Sequence, residues 1–260
     1  MPDHPATSAF RPCFVIPVFN HGDAITGVVD RLRRHGLVCW LVDDGSDRRC
    51  ADVLDALHHT DPESIRLQRL QRNSGKGAAF RQGLLCAEQA GFTHVIQIDA
   101  DGQHDPEDVP RLLDEARAHP DAVITGVPIY DESVPRVRLY GRYLTHVWVW
   151  INTMSMQIRD SMCGFRIYPV ASTSRLMREA RIGNRMEFDT DILVHAYWDG
   201  VRVINVPTRV RYPDDGVSHF RMLRDNARIS LMHARLFLVM LWRRCGFGPP
   251  IRPWSSNRKN

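Results

Sequence analysis

The sequence predicts an α/β protein whose central sheet is mostly parallel and is covered by helices on both faces. Short apolar segments alternate with segments of helical periodicity from residue 12 to residue 127. Most of these apolar segments do not alternate polar with apolar residues, which is typical of strands buried on both sides. The composition, 43% hydrophobic and 25% charged over 260 residues, is that of a globular protein and excludes a disordered or fibrous chain.

Five strands and four helices alternate in the predicted first half. The strands are predicted at residues 14–19, 37–42, 65–70, 94–98 and 122–127. The helices are predicted at residues 23–34, 49–58, 77–90 and 106–118. Apolar residues recur every three or four positions in the first helix, and Pro106 is a favoured first residue for the fourth. Strands joined by helices run parallel, so a ligand site is expected beyond their carboxyl ends.

The second half of the chain is less regular. Helices are predicted at residues 139–158, 172–180, 188–198 and 219–244, strands at 163–168, 201–206 and 208–212, and a polar loop at 130–138. The helix at 139–158 carries Trp148, Trp150, Met154 and Met156, which either pack in the core or form the wall of an apolar groove. We expect three regions, an extension at 1–11, an α/β domain at 12–225, and an amphipathic helix with a basic tail at 226–260.

The formal net charge of +4 is unevenly distributed. Residues 209–260 hold 11 Lys+Arg and 3 Asp, whereas the preceding residues hold 23 basic and 27 acidic side chains. Nucleic-acid-binding domains spread basic residues over a face, so this separation argues against nucleic acid as a partner. A basic end suits a membrane surface or phosphates, with a solvated basic helix as the alternative.

The cysteines and the N-terminus indicate a cytoplasmic protein. None of the six cysteines belongs to a Cys-x-x-Cys pair, which argues against a zinc ribbon or a thioredoxin-like site. Cys13 and Cys39 lie in apolar runs, where reduced thiols are expected. The N-terminus lacks the basic start and long apolar stretch of a signal peptide, and no segment reaches the roughly 18 apolar residues that span a bilayer.

Polar residues follow three of the predicted strands. Asn20 follows the first, Asp43-Asp44-Gly45-Ser46 the second, and Asp99-Ala100-Asp101-Gly102-Gln103-His104 the fourth. Two carboxylates two positions apart after a buried strand can share one hard cation such as Mg²⁺ or Mn²⁺. The alternative is a simple turn, in which Asp and Gly are also favoured. Three polar strand ends along one sheet edge favour a site.

The third predicted helix begins with Asn73-Ser74-Gly75-Lys76-Gly77. The spacing differs from that of a Walker A loop. The glycines allow a ligand to approach the backbone closely, and Lys76 at a helix N-terminus favours an anion. The alternative is a Gly-rich turn with an exposed lysine.

These segments belong to a longer ordered series. The six segments are Pro17-Val18-Phe19-Asn20, Asp43-Asp44-Gly45-Ser46, Asn73-Ser74-Gly75-Lys76-Gly77, Asp99-Ala100-Asp101-Gly102-Gln103-His104, Asp160-Ser161-Met162-Cys163-Gly164-Phe165-Arg166 and Gly216-Val217-Ser218-His219-Phe220-Arg221. Together they resemble the family-2 glycosyltransferases, most closely the dolichyl- or polyprenyl-phosphate sugar transferases. The resemblance implies a Rossmann-like GT-A fold. It also implies metal-dependent, inverting transfer of a sugar from a UDP- or GDP-sugar to a lipid, lipid-phosphate or other membrane-derived acceptor.

The resemblance implies roles for individual residues. Nucleotide-sugar binding is implied for Pro17, Phe19, Asn20, Asp43, Asp44, Lys76, Asp99, Ala100 and Asp101. Asp99, Asp101 and Gln103 are the implied ligands of Mn²⁺ or Mg²⁺, which would offset charge growing on the leaving nucleotide. Arg166, His219 and Arg221 are implied to bind phosphate or acceptor. The planar fork of Arg suits phosphate, with a surface ion pair as the alternative.

Glu187, Asp189 and Asp191 are candidates for a catalytic base. A hydroxyl acceptor needs a carboxylate to take its proton. Glu187 and Asp191 share a helix face because they are four positions apart, whereas Asp189 points elsewhere. The alternative is that these acids stabilise the N-terminus of their helix. A lipid-phosphate acceptor is already a nucleophile and needs no base.

The predicted last helix has two interpretations. Residues 229–242 are apolar except for Ser230, His233 and Arg235, and arginines flank them. About 14 residues are too few to span a bilayer. The helix therefore either lies peripherally on the cytoplasmic face of the inner membrane or packs on the core.

Two other function classes remain open from the sequence. A nucleotidyltransferase would carry a Gly-rich, Arg-containing loop after the first strand, which Pro17-Val18-Phe19-Asn20 does not provide. A non-catalytic nucleotide-binding protein could use the same scaffold, although the acidic cluster argues against it.

Overall fold

The computed structural model describes residues 9–129, 136–210 and 222–252 and has the predicted α/β architecture. The strands are β1 (Pro12–Val18), β2 (Cys39–Asp43), β3 (Ile65–Arg69), β4 (His94–Gln97), β5 (Val123–Ile129), β6 (Arg166–Pro169) and β7 (Val203–Arg209). The helices are α1 (Gly22–Leu32), α2 (Arg48–Thr60), α3 (Lys76–Gln89), α4 (Val109–Ala118), α5 (Arg136–Thr153), α6 (Val170–Glu179), α7 (Phe188–Trp198) and α8 (Met222–Arg244).

The seven strands form one sheet in the order β3-β2-β1-β4-β6-β5-β7. β6 runs antiparallel to both of its neighbours, and the other pairings are parallel. The predicted mostly parallel sheet is therefore confirmed. β2, β1 and β4 are neighbours, so the polar segments that follow them share one edge, as predicted.

The sheet has an apolar core on each face. Cys13 and Val15 of β1 pack on one side and Phe14 and Ile16 on the other, because successive strand side chains point to opposite faces. The first core includes residues of α3 and α5–α8, and the second includes residues of α1, α2 and α4. Helices on both faces are thus confirmed, and they explain why the strands are apolar on both sides.

Some predicted boundaries differ from the structure. Residues 201–206 and 208–212 were expected to form two strands, but β7 runs unbroken through Pro207. β7 is an edge strand, where a residue without an N–H is tolerated. The helix expected at 139–158 ends at Thr153, and Met154 then has a φ of 50°, which a helix does not allow. Part of the loop predicted at 130–138 lies outside the described residues, and 136–138 belong to α5.

The last described helix, α8, runs from Met222 to Arg244. Residues 211–221, which include the beginning of the helix predicted at 219–244, lie outside the described residues. All six cysteines are free thiols, and only Cys245 is exposed. No helix in the three described ranges is long and apolar enough to cross a bilayer.

Candidate active site

The site lies at the carboxyl edge of the sheet, where β2, β1 and β4 end side by side. Asp43 is the last residue of β2, and Asp99 comes two residues after β4. Asn20 follows β1 in a left-handed conformation with a φ of 55°. Its backbone N–H donates to Ser46 Oγ over 3.0 Å. The segments that follow β1 and β2 are thus joined through the side chain of Ser46.

Asp43 is a buried carboxylate that orders the turn after β2. Its Oδ1 accepts a hydrogen bond from the backbone N–H of Ser46 (2.8 Å), and its Oδ2 accepts one from Arg69 Nε (3.0 Å). Each carboxylate oxygen has a second lone pair, so Asp43 can still accept a hydrogen bond from a base N–H. Pro17 and Phe19 are partly buried beside this turn.

Asp44 positions the loop that precedes α3. Its two oxygens accept hydrogen bonds from the backbone N–H groups of Ser74 (2.7 Å) and Gly75 (2.8 Å). Burial raises the pKa of Asp44 even though these two bonds oppose the shift. Gly75 has a φ of 104°, a conformation that a side chain would strain. The loop therefore fixes the place from which Lys76 begins α3.

Lys76 joins the first and second halves of the chain. Its Nζ lies 2.7 Å from Asp99 Oδ1 and 2.6 Å from Asp189 Oδ2. Burial would lower the pKa of Lys76, but the carboxylates of Asp189 and Asp99 outweigh it and raise the pKa above its usual range. Lys76 is therefore a cation held between two carboxylates rather than an exposed lysine of a turn.

Asp99 and Asp101 lie next to one another after β4. Burial would raise the pKa of Asp99, but Lys76 and His104 hold it well below its usual range. The pKa of Asp101 is raised, by burial first and then by the charge on Asp99. Asp101 Oδ1 also accepts the backbone N–H of Gln103 over 3.0 Å. The two carboxylates repel one another because negative charge is concentrated here, and a bound cation would relieve that repulsion.

The residues at this turn fit a divalent cation by their chemistry. Within the described ranges, no group of three or more His, Cys, Asp and Glu side chains is arranged to hold a metal. Asp99, Asp101 and Gln103 supply only oxygen-bearing side chains, which Mg²⁺ and Mn²⁺ prefer. Mg²⁺ is usually bound by one or two carboxylates and substrate phosphates rather than by an all-protein cage. Two carboxylates are therefore enough for a cation that arrives with a diphosphate.

The segment before β6 packs against Asp99. A Cβ added to Gly164 would lie 2.6 Å from Cγ and Oδ1 of Asp99. Asp160 orders this segment by accepting the backbone N–H groups of Met162 (2.9 Å) and Cys163 (2.8 Å). Arg142 of α5 donates to both oxygens of Asp160, at 2.6 Å each. The Asp160–Gly164 segment thus connects α5 to the wall behind Asp99.

Arg166 is fully buried at the start of β6. Its guanidinium donates to Thr125 Oγ1, Tyr168 Oη and the backbone carbonyls of Ser161 and Asp189. The sequence predicted a phosphate contact for Arg166, with a surface ion pair as the alternative. The guanidinium is fully buried among protein groups, so its position fits neither prediction. Its hydrogen bonds instead fix the first turn of α7 relative to β6.

The three acids near the start of α7 face in two directions. Asp189 turns to Lys76 and also accepts Gln97 Nε2 over 2.8 Å. Asp191 accepts the backbone N–H of Gly183 (2.7 Å) and Arg235 Nη2 of α8. Burial raises the pKa of Asp191 despite the charge of Arg235. Asp189 is therefore the acid that contacts the Lys76–Asp99 cluster.

Glu187 lies on the same side of α7 as Asp191. Glu187 Oε1 accepts the backbone N–H of Arg185 over 3.2 Å, and its side chain abuts Gly183. The backbone carbonyl of Asn184 accepts the N–H of Gly77 over 2.8 Å. The loop that Glu187 and Asp191 hold therefore packs on the N-terminus of α3, beside Lys76.

Sequence reasoning missed several residues that contact the site. Gln97 is a buried amide that directly follows the apolar residues Val95 and Ile96 of β4, and that contrast was an available signal. His104 Nε2 lies 3.7 Å from Asp99 Oδ2; the residue belongs to the polar segment after β4, but no sequence pattern indicated a role for it. No sequence pattern indicated that Arg235 pairs with Asp191, because the two residues are 44 positions apart. The predicted His219 and Arg221 lie outside the described residues.

The chain is similar in sequence to known proteins. The family model described as glycosyl transferase family 2 matches residues 13–181. The polyprenol monophosphomannose synthase of Mycolicibacterium smegmatis is 27% identical over 237 residues, covering 85% of this chain and 84% of that protein. The dolichyl-phosphate beta-glucosyltransferase of Dictyostelium discoideum is 28% identical over 219 residues, covering 78% of this chain and 64% of that protein.

A similar fold occurs among solved structures. Glucosyl-3-phosphoglycerate synthase of Mycobacterium tuberculosis, crystallised with Mn²⁺ and uridine-diphosphate-glucose, superposes with a TM-score of 0.62 at 15% identity. The match covers 93% of this chain and 81% of that chain. At this identity the likeness concerns the fold, which is GT-A.

Proposed function

Because the chain belongs to glycosyl transferase family 2, we propose that it transfers a sugar from a nucleotide-diphosphate sugar to a polyprenyl phosphate. Two of the relatives are named for polyprenol and dolichyl phosphates, which supports the acceptor. The fold neighbour crystallised with Mn²⁺ and UDP-glucose supports the donor class and the cation. The observation that carries the proposal is the convergence of Asp99, Lys76 and Asp189 at the carboxyl edge of the sheet.

The nucleoside is assigned to the ends of β1 and β2. Pro17, Phe19 and Asn20 line this part of the edge, and Asp43 keeps free lone pairs for a base N–H. Asp44 contributes indirectly, because both of its oxygens are used to hold the loop before Lys76. UDP- and GDP-sugars are both candidates for the donor.

The diphosphate is assigned to the turn after β4. Asp99 and Asp101, with Gln103, are the residues that would hold Mn²⁺ or Mg²⁺. The cation would supply Lewis-acid stabilisation of the charge that develops on the leaving diphosphate. Lys76 is assigned to the same anion, because it is the cation nearest to Asp99 and begins a helix whose N-terminus also favours anions.

The acceptor phosphate is itself the nucleophile in this proposal. One of its oxygens forms a bond to the anomeric carbon, and the bond from that carbon to the donor phosphate oxygen breaks with inversion. A nucleoside diphosphate leaves. The attacking oxygen is already ionised at neutral pH, so no carboxylate has to remove a proton.

The acidic residues of α7 therefore receive other roles in this proposal. Asp189 holds Lys76, and Asp191 and Glu187 order the loop that packs on α3. His219 and Arg221 stay predicted contacts of the acceptor phosphate. Arg166 is assigned to positioning Asp189, because its guanidinium donates to the Asp189 backbone.

A transfer assay with purified protein tests the proposal. UDP- and GDP-sugars are offered with Mn²⁺ and a detergent-dispersed polyprenyl phosphate, and glycosylated lipid is quantified by mass spectrometry. Asp101→Asn should reduce the transfer rate by at least about 100-fold. Asp114→Asn, an exposed aspartate of α4, is the matched control and should act like wild type.

Three results would count against parts of the proposal. Full activity of Asp101→Asn would remove the cation assignment. Transfer only to a soluble phosphorylated acid would remove the lipid acceptor. No turnover or binding of any nucleotide-sugar would remove the whole proposal.

A further inference from the structure

α5 and α8 lie side by side and carry apolar side chains on their outer surfaces. Trp148 of α5 stacks on His233 of α8 with 6.0 Å between ring centroids, and it meets Phe237 edge-on at 6.4 Å. Met232 and Leu236 of α8 are buried in the core beneath. The helix pair therefore already has an inner apolar face that accounts for its packing.

The outer side of α8 is a second apolar stripe. It consists of Leu223, Ala227, Leu231, Ala234, Leu238, Leu241 and Trp242, all exposed. Leu231 is 71% exposed and Leu238 is 65% exposed. These residues recur every three or four positions, which places them along one line of the helix. Folding does not require this stripe to be apolar, because the opposite side of the helix fills the core.

α5 extends the same exposed surface. Leu144, Trp148 and Ile151 follow one another at helical spacing and are exposed. A groove of about 570 Å³ between the helices is lined by Ile151, Met154, Met240, Leu241 and Arg244. A continuous exposed apolar surface of this kind marks a contact with another protein or with a membrane. We call the exposed residues of α5 and α8 the α5–α8 face.

The charge on α8 favours a negatively charged partner. The helix contains five arginines and one acid, Asp225. Asp225 is buried and pairs with Arg228 over 3.4 Å. Arg224 and Arg244 remain exposed beside the apolar stripe, and Arg244 lines the groove. Apolar side chains flanked by arginines match the interface of an anionic bilayer, where acyl chains lie below anionic headgroups.

We propose that the α5–α8 face docks this protein in the interface of an anionic lipid bilayer, with α8 lying in the plane of the membrane. Access of the docked protein to a polyprenyl-phosphate acceptor rests on the proposed function, whereas docking itself requires no catalytic residue. Arg142 of α5 binds Asp160, and Arg235 of α8 binds Asp191. The face is thus tied through two ion pairs to segments that contact the site.

Vesicle flotation tests the docking without any acceptor lipid. Wild-type protein is mixed with phosphatidylcholine vesicles that contain or lack phosphatidylglycerol. The double variant Leu231→Gln/Leu238→Gln should bind at least about 100-fold more weakly, because each buried leucine side chain contributes about tenfold or more. Leu85→Gln is the matched control, since Leu85 of α3 is 42% exposed and lies outside the α5–α8 face.

The arginines are tested separately. Arg224→Gln/Arg244→Gln should weaken binding to anionic vesicles by about fivefold per residue and leave binding to neutral vesicles unchanged. The substituted side chains are exposed, so urea unfolding of each variant should match wild type. Equal flotation of wild type and of the double leucine variant would overturn the proposal.

A second copy of the chain is the competing occupant. Sedimentation without vesicles should give a monomer. A dimer that the leucine substitutions dissociate, with no flotation of wild type, would overturn membrane docking. Flotation without sugar transfer would sustain docking and refute only the proposed function. Transfer to a short, water-soluble polyprenyl phosphate by a protein that does not float would refute only docking.

Discussion

Gly164 offers a way to displace one carboxylate of the site by a single methyl group. In Gly164→Ala the new Cβ would lie 2.6 Å from Cγ and Oδ1 of Asp99. Ordinary van der Waals contact begins at 3.4 Å, so Cγ and Oδ1 must move by about 0.8 Å, and Oδ2, which lies closer still to the new Cβ, must move further. Asp99 cannot move freely, because Lys76 Nζ holds its Oδ1 at 2.7 Å. The substitution can therefore avoid the clash only by displacing the carboxylate of Asp99.

Displacement of the Asp99 carboxylate in Gly164→Ala should slow sugar transfer. A misplacement of about 1 Å at a catalytic constellation can cost about 100-fold in rate. We therefore expect kcat for sugar transfer to fall by about 100-fold, which corresponds to about 2.7 kcal/mol of activation free energy. Steady-state transfer at saturating Mn²⁺ and nucleotide-sugar measures it.

Gly27→Ala is the matched control for this prediction. Gly27 lies inside α1, and an added Cβ would meet no atom within 4 Å. Replacing a helical glycine by alanine should raise the free energy of unfolding by about 0.5–1 kcal/mol and leave kcat unchanged. If Gly164→Ala retains wild-type kcat, the close packing of Gly164 on Asp99 does not determine where the carboxylate lies.

Three further substitutions test charges that the site and α8 bury. Lys76→Met should abolish transfer. It should also lower the free energy of unfolding, measured in urea, by about 3 kcal/mol, because it leaves two close carboxylates without their shared cation. Unchanged stability would contradict the role of Lys76 as that shared cation. Arg235→Met should cost about 2 kcal/mol by leaving Asp191 without its ion-pair partner, and Arg235→Lys should recover part of it; equal stability of both variants and wild type would refute this. Burial lowers the pKa of His233 to about 4, so this residue should contribute about 2 kcal/mol to the stability that wild type loses between pH 7 and pH 5, as the unfolded histidine gains a proton. His233→Gln should remove that part of the decline, and urea midpoints at the two pH values measure it.

The sheet edge was predictable because local patterns define it. A buried strand ends where apolar residues give way to Asp and Gly, so the positions of Asp43 and Asp99 could be inferred from neighbouring residues alone. Parallel connection of β1, β2 and β4 then implied that their ends meet. The orientation of β6 was not predictable, because a strand of four residues carries no signal of direction.

The partners of the site residues were less accessible to sequence reasoning. Lys76 and Asp189 are 113 positions apart, and no local pattern links them. Arg166 was predicted to bind phosphate because the family resemblance implied it and the planar fork of Arg suits phosphate, with a surface ion pair as the alternative. It is buried here because two backbone carbonyls and two hydroxyls satisfy its guanidinium. Pro207 was interpreted as a break between strands because its position at the edge of the sheet was unknown.

The strand order has a consequence for how the protein is made. The adjacent strands β3, β2, β1 and β4 all come from the first 97 residues, so a nascent chain can pair them early in synthesis. The apolar side of α3, however, packs in a core with α5–α8, which are translated later. That surface stays uncovered until α8 has left the ribosome, and uncovered apolar surface is prone to aggregation. We therefore expect fragments that end before α5 to require chaperones, and enzyme activity to arise only after α8 has been synthesised.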